Sequence, residues 1–136
     1  MFAIIPLLAI ALIAYNVIAM GVLGLVGVNG DVWLTQVMAV PMLSGVIWSM
    51  TLGDVMILFG LILLFIEIIK STNIGTRSII DHMLSTFVFI AFLVEFLLVG
   101  FAAHTVFFTL MLIALIDVIA GFSVSIRGAT RDDSLG

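Results

Sequence analysis

The first charged side chain in this sequence is Asp31; the residues before it are uncharged and largely apolar. Three more apolar stretches follow, at residues 51–70, 78–101 and 105–126, and each contains few charges. About 20 such residues cross a hydrocarbon core of roughly 30 Å. Lipid offers no hydrogen bonds to a bare backbone, so each span is expected to be helical. Residues 2–26 form the first expected span. The ten-residue alternation of a membrane barrel is absent.

Only four Lys/Arg and eight Asp/Glu occur in 136 residues, and the apolar fraction is 65%. A soluble domain is roughly 45–50% apolar, so a soluble enzyme is excluded. A formal charge of −4 offers no basic face to nucleic acid. With no cysteine there is no thiolate zinc site, disulfide or Cys nucleophile. No metal site, P-loop, HExxH pair, nucleophile elbow or dinucleotide turn is visible. The expected function is therefore not enzymatic.

The expected fold is all-α: one membrane domain, 1–136, built as a four-helix bundle. Residues 31–50 form an extra helical segment, either interfacial or re-entrant, between the first two spans. Trp33 and Trp48 flank this segment as interface anchors, and Pro41 divides it. The alternative is that 31–50 makes a fifth span. Thr51 with Asp54, and Ser78 with Asp81, read as capping boxes, each with a hydroxyl followed three residues later by a carboxylate. Thr105 is the expected cap of the last span. Residues 127–136 form a short polar tail.

Lys70 and Arg77 lie in one connection, and Arg127 and Arg131 lie in the tail. The positive-inside rule then places the 71–77 loop and the C-terminus in the cytoplasm of a bacterial inner membrane. Four spans put the N-terminus there too. The first span lacks the basic leader and small-residue cleavage site of a signal peptide.

Small residues let membrane helices approach closely. Gly21, Gly24 and Gly27 in the first span, Gly53 and Gly60 in the second, Ala91 and Ala102 in the third, and Ala114, Ala120 and Gly121 in the fourth supply such faces. Glu67, Glu95 and Asp117 lie on these faces, and a carboxylate at bilayer depth costs about 2.5–3.5 kcal/mol on insertion scales. At roughly 1.5 Å per residue, Glu67, Asp117 and Glu95 stand about 5, 13 and 22 Å from the Lys70 side, with Asn16 level with Glu95. Such a staircase suits a proton or cation relay, or polar contacts that tie helices together. Lys70 can reach back to neutralise Glu67.

His82 and His104 are expected at opposite ends of the third span, too far apart to share one ligand. Either imidazole alone suits a haem or pigment, although no second ligand is apparent and no cofactor is expected. The leading expectation is an accessory or assembly subunit of a larger membrane complex, or a homo-oligomer, with lipid as its other partner. The alternatives are a small oligomeric proton or cation transporter or channel, and a haem- or pigment-binding electron-transfer subunit.

Overall fold

A computed structural model describes the backbone of residues 5–25, 27, 29–71 and 76–135, and the side chains of these residues except 71–78 and 124–135. The chain is mostly helical. Among the described residues, four helices, α1 (Leu8–Ala19), α2 (Leu52–Ser71), α3 (Thr76–Leu98) and α4 (Thr105–Leu135), accompany one two-stranded sheet, β1 (Gln36–Pro41) and β2 (Ile47–Thr51). Three of the helices are long and apolar enough to cross a membrane, over Leu52–Lys70, Ile79–Leu98 and Thr105–Ser123. These fit an integral membrane protein.

The first expected span is corrected. The helix within 2–26 has 12 residues, about 18 Å of rise, which is too short to cross the core. Gly21 stops it. Its φ is +78°, and its N–H donates to Ile18 C=O while Val22 N–H donates to Val17 C=O. This pair of bonds is a Schellman termination, which needs the left-handed backbone that glycine adopts freely. Gly24 also has positive φ (+72°), so these two glycines shape the exit from α1 rather than a packing stripe.

The helical reading of 31–50 is also overturned. Val32–Leu34 makes a single 3-10 turn, and the segment then forms an antiparallel hairpin. Gly45 N–H donates to Met42 C=O at 3.0 Å, Met42 N–H donates to Val46 C=O at 2.8 Å, and Gly45 has φ +91°. A turn closed by a left-handed glycine is a common hairpin connection. The pairs Val40↔Trp48 and Met38↔Met50 face each other, and a bulge lies between Gln36 and Met38. Leu52 N–H donates to Thr35 C=O at 2.7 Å and closes the base. β2 then enters α2 directly.

The capping box at the start of α2 forms reciprocally. Asp54 N–H donates to Thr51 Oγ1 at 3.2 Å, and Thr51 N–H donates to Asp54 Oδ2 at 3.0 Å. The box at Ser78 is corrected, because α3 begins at Thr76 and Ser78 lies inside its first turn. Within the expected polar tail, 127–136, α4 continues to Leu135.

α4 packs against both α2 and α3, which touch each other little. Gly53 and Gly60 give α4 its close approach: a Cβ on Gly53 would lie 2.8 Å from Val106, and one on Gly60 2.6 Å from Leu110. The core centres on Phe107, which meets Tyr15 edge-on at 4.9 Å and Phe92 at 5.2 Å. Trp33 is not an interface anchor. It is 4% exposed and stacks on Tyr15 at 4.5 Å. Trp48 is exposed.

Candidate functional site

The polar side chains gather at the two ends of the helices, with aromatic and aliphatic groups between them. One end carries Lys70 and the other carries the hairpin.

At the lysine end, α2 brings Glu67 and Lys70, α3 brings Asp81 and Ser85, and α4 brings Asp117. Glu67, Asp81, Ser85 and Asp117 are all buried. Lys70 Nζ stands 3.2 Å from Glu67 Oε1 and 3.9 Å from Asp81 Oδ1. It also donates to Ile5 C=O at 2.8 Å, and Leu7 N–H donates to Glu67 Oε1. These two bonds dock the start of α1, where helical N–H groups lack internal partners. Ser85 hydrogen-bonds Asp117, which lies in the electrostatic field of Glu67, Asp81 and Lys70. The cluster has three carboxyls and one ammonium.

The lower groups of the expected staircase thus interact at this end, with Asp117 bonded to Ser85, one helical turn beyond Asp81, and within the field of Glu67. Asp81 is part of this buried site, so its assignment as a helix cap is corrected. The pattern that marks it is visible in the sequence: Asp81, Ser85, Val88 and Phe92 recur at helical spacing on one face, and all are buried.

Glu95 stands apart. It lies 14 residues beyond Asp81, about 21 Å along the helix, and only one turn from the end of α3 at Leu98. Its Oε2 is buried without a hydrogen-bond partner among the described residues. Asn16, expected to lie level with it, donates to Leu12 C=O on its own helix at 2.8 Å. Between Glu95 and the lysine end lie Val88, Phe92, Phe107 and Leu110, all buried. These four side chains form an apolar layer between the two polar ends.

At the hairpin end, Asp31 accepts from Trp33 N–H at 3.0 Å and caps the 3-10 turn. Its other oxygen lies 2.8 Å from His104 Nε2. Val106 N–H donates to His104 Nδ1 at 3.0 Å, so Nδ1 is the unprotonated nitrogen and Nε2–H donates to Asp31. His104, not Thr105, thus caps α4. Burial raises the Asp31 pKa, but the His104 hydrogen bond, the Trp33 N–H and the attraction of His104 outweigh it, so the carboxyl titrates below its ordinary 3.8. Tyr15 Oη donates to Phe101 C=O at 2.8 Å. Asp31, Trp33, Gly100, Phe101 and His104 border a cleft of about 210 Å3.

His82 meets Phe122 at 5.5 Å, and its Nδ1 is buried without a hydrogen-bond partner among the described residues. Among those residues no three His, Cys, Asp or Glu side chains are grouped to hold a metal ion. His104 has both ring nitrogens engaged, so ligating an iron or a pigment metal requires breaking one of these bonds.

No family model, curated protein or solved structure matches this chain.

Proposed function

We propose that this chain is a non-enzymatic membrane subunit that supports the assembly of a larger complex in the bacterial cytoplasmic membrane, with its lysine end on the cytoplasmic side. One observation carries the reading: at the lysine end the charged groups of the spans face one another within the chain. Glu67, Lys70, Asp81 and Asp117 tie the three long helices and the start of α1 together. The outward stripes are bulky and apolar instead, as with Leu58, Ile62, Phe65 and Ile69 on α2 and Met83, Phe87, Ile90, Val94 and Leu97 on α3. A partner would meet shape and dispersion contacts on these faces rather than chemistry.

The test is extraction from the native membrane in mild detergent, followed by native size separation, mass spectrometry and a visible spectrum. Co-migration with defined larger subunits supports the proposal, and a homo-oligomer migrating alone overturns it. A coloured band would favour a haem or pigment role for His82 or His104.

A second reading rests on the same acidic cluster. Among the described residues this cluster sets three carboxyls beside one ammonium, and protons can balance the remaining formal charge. As a transporter the chain would work as an oligomer, with the path between copies, because the Phe92–Phe107 layer closes its own middle. Proton flux in liposomes, lost on Asp117→Asn with assembly intact, would establish this reading in place of the first.

A further inference from the structure

We propose that the β1–β2 hairpin is a lipid-binding element that lies in the headgroup layer of a zwitterionic membrane. No charged side chain occurs between Asp31 and Asp54, so the hairpin offers no electrostatic handle to anionic lipid or to a charged protein. Its exposed surface is largely apolar, with Ser49 beside Ala39 and Ile47 on one face. Met38, Val40 and Trp48 are exposed on the other, and Val46 and a fully exposed Leu43 form the tip. In water such a two-stranded hairpin is marginal by itself.

Its placement identifies the covering partner. Thr51 of β2 is followed at once by Leu52, the first residue of a membrane-spanning stretch, so the hairpin surface continues the lipid-facing surface of α2. Trp48 and Met50 oppose Asp54, Ile57 and Leu58 across a groove of about 330 Å3, wide enough for part of an acyl chain or headgroup. Depth follows from the backbone. A sheet of two strands has only edge strands, whose outward N–H and C=O groups cannot enter the hydrocarbon core unpaired. The headgroup layer accepts both the largely apolar surface and the open edges, and Trp side chains favour it.

A protein strand added to the hairpin is the competing occupant. The β1 edge resists this, because a bulge interrupts it between Gln36 and Met38 and Pro41 has no N–H to give.

The experiment uses the full chain in phosphatidylcholine vesicles whose lipids carry bromine at shallow or deep acyl positions. The chain has two tryptophans, so subtracting the emission of Trp48→Phe from that of the parent isolates Trp48. The expected Trp48 signal is blue-shifted, protected from iodide, and quenched more by shallow than by deep bromines. Adding anionic lipid should leave it unchanged. Leu43→Glu, at the exposed tip, should reduce the shallow quenching several-fold while helix content stays constant. Iodide quenching equal to that of free tryptophan overturns the proposal, as does stronger quenching by the deep bromines.

Discussion

Asp31 and His104 meet at 2.8 Å although 73 residues separate them, and the contact clamps the loop before the hairpin onto the turn between α3 and α4. His104 serves both sides at once, since Nδ1 caps α4 while Nε2–H holds Asp31. The pair is about 30% exposed, at 28% and 30% for the two side chains. Solvent screening therefore limits its worth to less than about 1 kcal/mol.

The pH dependence of this clamp has a definite sign. Asp31 titrates below 3.8 in the folded chain, so the folded state favours the carboxylate. The stabilisation is present in full above the unfolded value and disappears as pH falls through the lower, folded value. Thermal midpoints in detergent, measured from about pH 6 to pH 3, should converge for the parent and Asp31→Asn at the acid end. A gap that stays constant over that range would refute this assignment.

Tyr15 supports the same end of the molecule through its hydroxyl and its ring. Tyr15→Phe removes only the bond to Phe101 C=O and should cost about 1 kcal/mol. Tyr15→Ala also removes the stack on Trp33 and the edge contact with Phe107, and should cost about 3–5 kcal/mol. Chemical unfolding in detergent distinguishes the two, and near-ultraviolet circular dichroism should lose the Trp33 signal only in the alanine variant.

The two glycines of α2 should respond differently to alanine. At Gly60 the new Cβ meets Leu110 Cδ2, the end of a flexible side chain, and the helix propensity gain of about 1 kcal/mol offsets part of the crowding. At Gly53 it meets Val106 Cγ2 and, at 3.1 Å, the Trp33 carbonyl oxygen. A stiff branched side chain and a backbone atom give little, so Gly53→Ala should lose about 1–3 kcal/mol. Equal unfolding midpoints for the two variants would contradict this close-packing account.

Sequence reading reached those parts of the fold that are set locally. Thr51 and Asp54 are three residues apart, and their reciprocal bonds need nothing distant. Gly21 misled because a glycine that ends a helix and one that smooths a helix face look alike until φ is known. The hairpin was obscured for a physical reason. Strands are recognised by alternation, and Met38–Trp48 lacks it because neither face was built for water. The Ser44-Gly45 turn signal was present but stood among apolar residues. The Asp31–His104 contact joins segments that meet only after α2, α3 and α4 have packed, so no spacing rule reveals it. Asp81 was misplaced because its reading as a cap assumed that α3 begins at Ser78.

Lys70 provides the sharpest test of the buried cluster. Its ammonium lies against Glu67 and Asp81 and holds Ile5 C=O. Lys70→Met keeps the stem but leaves three buried carboxyls without their cation, and breaking a buried pair by removing one partner costs about 3–5 kcal/mol. Glu67→Gln should be milder, because the amide oxygen still accepts Leu7 N–H. The double variant should then lose less than the sum of the two singles, since Lys70→Met no longer strands a charge at position 67. Unfolding free energies for the four proteins in one detergent give the coupling directly. A coupling of zero would mean that Lys70 and Glu67 act independently, each through its own bond to the start of α1.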